Sequence, residues 1–206
     1  LEAGTHAKVQ ANLYCSWAEH QGFHSHFDTH DVYAVHLAGE KLWRVYSTCF
    51  PDPIAHPKFK SFGRAWHEQN RGDILIEEVL RPGDLLYLPR GQYHDAVAVS
   101  PGTFHIAFGV TSVIGLDFLG LLYDLAVEDP LFRATMPRHT DPAAVTARIE
   151  QLGARLGELS RDGQLHQRFA AFQQGFRFIR GGYDLPEDVV RERYGLAATG
   201  LQIQRQ

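Results

Sequence analysis

Cysteine is scarce in this chain. There are two in 206 residues, Cys15 and Cys49, with no CxxC spacing. That favours a reducing compartment, and a cytoplasmic setting is expected, although two cysteines could in principle pair. A basic field is missing too: the formal net charge is −4, which gives no footprint for nucleic acid as a direct partner. No apolar run approaches the length of a membrane span. No signal peptide is visible, and the chain opens on Leu1 rather than Met, which leaves its native start open. What is present is an ordinary composition, 44% hydrophobic and 21% charged, in a chain long enough to bury a sizeable core.

The chain divides near residue 112. Before it, short runs rich in β-branched and aromatic residues predict strands at Val9 to Trp17, Val32 to Leu37, Lys41 to Ser47, Ile74 to Leu80, Asp84 to Leu88, Asp95 to Val99 and Thr103 to Val110. Strands at this spacing, without long helices between them, favour a sandwich or jelly roll over a parallel sheet. The Pro/His-rich stretch from Cys49 to Asp73 reads as an ordered loop near the mouth of that barrel.

After residue 112 the period becomes helical. Ile114 to Val127 is strongly apolar and is expected to pack against the barrel. Asp141-Pro142 is a helix start, with Asp as cap and Pro in the first turn. Val145, Ile149, Leu152, Leu156 and Leu159 form one apolar stripe, and Leu165, Phe169, Phe172, Phe176 and Ile179 a second. Joined by Arg161-Asp162-Gly163, they predict an antiparallel helix pair. The tail from Gly181 to Gln206 offers one short helix, about Pro186 to Tyr194.

The chemistry is carried by His26-Phe27-Asp28 and by a distant His94. A His and an Asp two apart on a strand point to the same face, because side chains alternate. His94 can reach that face if the sheet curls. Two imidazoles and a carboxylate on one face leave three positions of an octahedral metal open, the usual holder of non-haem Fe(II). His-x-Asp alone is a weak signal in a chain with 12 His. Lys41, Trp43 and Val45 share one strand face, and an inward Lys41 would be costly to bury unpaired; a dicarboxylate would pair it. Asn12 and Tyr14 share a face spaced to line the same pocket, where an amide and a hydroxyl can donate to a carboxylate.

Gly83, Pro89, Gly91 and His94 resemble the second metal-binding signature of cupin barrels; the family's final Asn falls at Ala98, a departure. Gly22 to Tyr33, followed by Gly39 to Tyr46, resembles the JmjC-type cupin 2-oxoglutarate/Fe(II) oxygenases, closest to the ribosomal-oxygenase group of cupin-like protein hydroxylases. The similarity runs from about Ala11 to Val110. It implies a mainly β, double-stranded β-helix (jelly-roll) domain over residues 1–112 and a helical, dimerising region over 113–206. It implies Fe(II) on His26, Asp28 and His94. A basic residue fifteen after the first metal His, here Lys41, would grip the far carboxylate of 2-oxoglutarate. Asn12 and Tyr14 would help hold that cosubstrate. With O2 as oxidant, the implied reaction is decarboxylation to succinate and CO2 coupled to hydroxylation of an unactivated carbon on a peptide or protein side chain. The helical region implies a homodimer.

The ribosomal oxygenases carry a winged-helix domain after their helices, and the tail is too short to build one. That domain is expected to be missing or cut away, which leaves the ribosomal substrate open. A small-molecule or peptide-natural-product hydroxylase is the nearest rival. A non-oxidative cupin on Zn, Mn or Ni and an inert binding module are the others. A zinc site extended by His24 or His30 is disfavoured, because zinc prefers a closed N/S set and no cysteine is near. His36 is expected behind or in the pocket, and His105 as a satisfied core histidine.

Overall fold

The computed structural model describes residues 1–17 and 23–178. The expected helix at Pro186 to Tyr194 lies outside the described residues, as does Ile179 of the second stripe.

After a one-turn helix, α1 (Glu2–Thr5), come β1 (Lys8–Ser16), β2 (Asp31–Ala38) and β3 (Lys41–Cys49). Two short helices follow, α2 (Pro57–Lys60) and α3 (Arg64–Asn70), and then β4 (Ile74–Leu80), β5 (Leu85–Leu88), β6 (Gln92–Ala98) and β7 (Thr103–Thr111). The strands form two antiparallel sheets, ordered β1-β7-β2-β5 and β4-β3-β6. The expected mainly β core is therefore present. Val32 and Ala34 of β2, Leu88 and Ala107 meet Trp43 and Val45 of β3 between the sheets. Apolar alternation on strands predicts such a layer, since each sheet must bury one face.

The segment read as a loop at the mouth does something else. It folds into α2 and α3 and covers the outer face of the three-stranded sheet. Phe50, Phe62 and Trp66 pack there against buried Phe27, Tyr46 and Tyr93. The driving force is aromatic burial, and Phe62 and Trp66 stack at 3.8 Å.

The turn into β5 is built by Gly83 at φ +98, with its amide bonded to the His36 carbonyl. At Gly91 the chain is tighter. Gly91 has φ +86, and an added Cβ would stand 2.0 Å from the Phe50 carbonyl oxygen, so only glycine fits. Gly91 exchanges backbone bonds with Phe50 and Asp28: its carbonyl accepts from Phe50 N at 2.8 Å and its amide donates to the Asp28 carbonyl at 3.0 Å.

β6 begins at Gln92, three residues before the strand the sequence predicts, so His94 lies inside it. Backbone pairing carries it that far, with His94 opposite Val45 and Gln92 opposite Cys49 of β3. In the interruption between them, the Gln92 amide nitrogen donates to the carbonyls of Tyr46 and Thr48.

Beyond the sheets lie α4 (Gly115–Glu128), α5 (Pro130–Arg133), α6 (Pro142–Leu159) and α7 (Gly163–Gln174). Asp141 and Asp162 cap α6 and α7, accepting from Ala144 N and Gln164 N. α4 differs from its expected packing. It sits chiefly on α5, α6 and α7, with only Leu122 and Ala126 buried. Its Leu116, Leu119, Tyr123 and Val127 remain 50–68% exposed. The reason is width. α4 is apolar around most of its girth, and one neighbouring layer covers only one stripe. Among the described residues, no helix is long and apolar enough to cross a membrane.

Candidate metal centre

His26, Asp28 and His94 come together as the spacing predicts, though not on a shared strand. His26 belongs to an isolated antiparallel bridge with His94, and Asp28 lies in the chain leading to β2. The same-face result survives because Phe27, between them, turns the other way. It stacks on Phe50 at 4.8 Å and meets Tyr93 edge-on at 5.2 Å. This aromatic anchor leaves residues 26 and 28 facing the barrel interior, where both line the same cavity.

The donor atoms of the three residues all lie within 4.8 Å of one another. His94 Nε2 stands 3.6 Å from Asp28 Oδ2. Each imidazole is oriented by its own backbone. His26 Nδ1 is 2.7 Å from the His24 carbonyl, and His94 Nδ1 is 3.0 Å from the Gln92 carbonyl. A carbonyl only accepts, so both Nδ1 atoms donate, which turns Nε2 of each ring toward the cavity. Burial, followed by the neighbouring His26, holds His94 below the ordinary imidazole range, so it is neutral and ready to ligate. Two imidazoles and one carboxylate converging from one side fit a divalent metal with open positions opposite.

The cavity beside these residues has a volume of about 320 Å³ and takes in Lys41, Asn12 and Tyr14, all three singled out from the sequence. Lys41 is 8% exposed and its strand face is the inward one, as the alternation predicts. Its ammonium lies 3.4 Å from Ser16 Oγ and 5.8 Å from the Trp43 ring centre. Among the described residues it has no carboxylate partner, and burial lowers its pKa. The departure at Ala98 falls directly opposite Lys41 in the β3–β6 pairing.

Two cavity residues were missed or misread. Ser16 continues the face of Asn12 and Tyr14 by simple alternation, a signal the sequence carried. His105 is buried but not satisfied. It stacks on Tyr14 at 4.8 Å and on His36 at 5.2 Å, lines the cavity, and its Nδ1 has no hydrogen-bond partner among the described residues. Burial, with Lys41 and His36 adding, pushes it down to about 3. His36 sits behind the wall, fully buried, accepting from Trp43 Nε1 at 2.8 Å. His24 turns away beside Arg64, and the His30 ring lies over Gly109. Neither joins the metal-ligand set.

Residues 2–117 match the family model described as the JmjC domain. Ribosomal oxygenase 2 of Mus musculus is 32% identical over 162 residues, covering 72% of this chain and 33% of that protein. The bifunctional lysine-specific demethylase and histidyl-hydroxylase NO66 of Drosophila persimilis is 37% identical over 97 residues, covering 47% of this chain and 13% of that one. The chain thus spans a third or less of the length of these relatives. The ribosomal oxygenase YcfD of Escherichia coli, solved with cobalt and 2-oxoglutarate, superposes with a TM-score of 0.54 at 18% identity, covering 87% of this chain and 46% of that one. That likeness shows a shared fold. With more than half of its length matched by the family model, the chain belongs to the JmjC-domain family.

Proposed function

We propose that this chain is an Fe(II)- and 2-oxoglutarate-dependent dioxygenase that hydroxylates an unactivated carbon of a protein or peptide side chain. The observation that carries it is one cavity holding both a three-donor metal set and a buried ammonium without a carboxylate partner. An ion held by His26, Asp28 and His94 would supply the oxidative chemistry, using O2 and the cosubstrate.

The protein's part is binding and orientation. Lys41 fits the far carboxylate of a dicarboxylate, exchanging a costly lone charge for a desolvated ion pair. Asn12 and Tyr14 line the same cavity, within reach of an elongated acid. Buried Trp43 and Val32 give the cavity apolar walls beside the ligand set. Residues 1–112 would form the catalytic jelly roll and 113–206 the helical region. We assign the helical region to a homodimer interface, supported by the exposed stripe on α4 and by Ile149 at 57% exposure on α6. A polypeptide target is favoured by the names of the relatives, a ribosomal oxygenase and a histidyl-hydroxylase. A cytoplasmic setting agrees with two free, exposed cysteines.

The test is 2-oxoglutarate turnover with Fe(II), read as succinate, first alone and then with cell-extract peptides. Succinate formation that rises with a peptide fraction is expected. Metal binding without succinate under any condition would replace this reading with a non-oxidative metal cupin.

A further inference from the structure

The bridge that brings the two histidines together has a second face. His26 and His94 are direct partners in an antiparallel pairing, so Ser25 and Asp95 are direct partners as well, with side chains on the opposite side. Neither meets water: Ser25 is 5% and Asp95 3% exposed. Ser25 Oγ donates to Asp95 Oδ2 at 2.9 Å, and the Tyr46 hydroxyl donates to the same oxygen at 2.5 Å. Arg71 Nη1 donates to both Ser25 Oγ and the Tyr46 hydroxyl and stands 3.8 Å from Asp95 Oδ2. Arg44, across from Asp95 on β3, brings Nη1 within 3.6 Å of Oδ1 and is itself bonded to Glu77 of β4.

Backbone bonds join the two segments at the bridge and once more two residues on, where Gly91 N donates to the Asp28 carbonyl at 3.0 Å. The bridge itself has two, His26 N to the His94 carbonyl at 3.1 Å and His94 N to the His26 carbonyl at 2.9 Å, and His26 lies outside β1 to β7. Each ring is tied to a carbonyl of its own segment, so the imidazoles move with the backbone. The separation of the two segments therefore sets the gap between the two Nε2 atoms. A buried carboxylate is a costly way to stabilise a sheet, since well-packed apolar side chains do as well or better. Here its hydrogen bond to Ser25 joins the two ligand-bearing segments by side chains, directly behind the bridge.

We propose that Asp95, acting through Ser25, is a positioning residue for the metal centre: the clamp on the outer face of the bridge sets the spacing of His26 and His94 on the inner face. The proposal rests on the metal reading above. Co(II) is the probe, titrated into the parent, Ser25→Ala, Ser25→Thr and Asp95→Asn, and followed by calorimetry and the visible absorption band. Amide hydrogen exchange on the metal-free proteins follows His26. Ser25→Ala and Asp95→Asn are expected to weaken Co(II) binding roughly 10-fold or more, the range seen when outer partners of ligands are removed. They should also shift the band and speed exchange at His26. Ser25→Thr, which keeps the hydroxyl, should restore parental binding. A purely structural role would lower the melting temperature and leave Co(II) affinity and the band unchanged in the folded variants; that result overturns the proposal. If Asp95→Asn does not fold, Ser25→Ala decides by itself. A parent that binds no Co(II) defeats the metal reading and this one with it. A parent that binds it no better than Ser25→Ala defeats only the clamp.

Discussion

Lys41 places its ammonium 3.4 Å from Ser16 Oγ, bridging the end of β3 to the end of β1 inside the cavity. The bond is long and the hydroxyl is neutral, so the charge is left to a ligand. Lys41→Ala is expected to raise the 2-oxoglutarate requirement more than about tenfold, the equivalent of about 1.4 kcal/mol for a lost charge-assisted bond. Succinate formed across a 2-oxoglutarate titration measures it. An unchanged requirement would remove Lys41 from cosubstrate binding.

His94→Ala is expected to abolish Fe(II) binding and turnover while the barrel stays folded. The bridge to His26 uses backbone atoms, which the substitution keeps. Calorimetric titration of the metal, beside a circular-dichroism spectrum, separates loss of the ligand from loss of the fold. Parental affinity in the variant would refute the three-residue assignment.

Gly91→Ala tests the turn that leads into His94 and bonds the Asp28 carbonyl. The added methyl meets the Phe50 carbonyl and the backbone sits at positive φ. A loss of about 1–3 kcal/mol is expected from strain of this kind, seen as a lower urea midpoint. A shift smaller than a few tenths of a kcal/mol would show that the turn relaxes freely.

Stability should fall in mild acid. His105 is pushed from 6.5 down to about 3 by burial first and then by Lys41 and His36. Between those values the unfolded chain binds a proton that the folded one refuses, so stability is complete above pH 6.5 and drains away as pH drops toward 3. His36 and His94 are lowered in the same direction. Urea midpoints taken down from neutral pH should decline, and His105→Phe should flatten part of that decline. Identical slopes in parent and variant would contradict a neutral, buried His105.

The helical region should associate. Leu119 and Tyr123 sit on the exposed face of α4 at 53% and 68% exposure. A two-fold pairing would bury one such patch against its copy. The parent is expected to be a dimer by light scattering, and Leu119→Glu with Tyr123→Glu a monomer. A monomeric parent at micromolar concentration would end the dimer assignment.

The sequence by itself determined most of the strands, the shared face of Lys41, Trp43 and Val45, and the identity of the three metal-ligand candidates. Alternation and turn chemistry are local, so they are written in consecutive residues. The family resemblance is local as well, carried by Gly22 to Tyr33, Gly39 to Tyr46 and Gly83 to His94. Tertiary structure decided what joins residues far apart. It turned the stretch from Cys49 to Asp73 into a cover over the outer sheet face, because Phe62 and Trp66 found Phe27 and Tyr93 there. It replaced a strand at His26 with a single bridge, and held Asp28 inward by anchoring Phe27. It brought His105 onto Tyr14, and Ser25 onto Asp95, seventy positions apart. Pairing across that distance depends on which segments lie side by side, and no spacing within either segment encodes it.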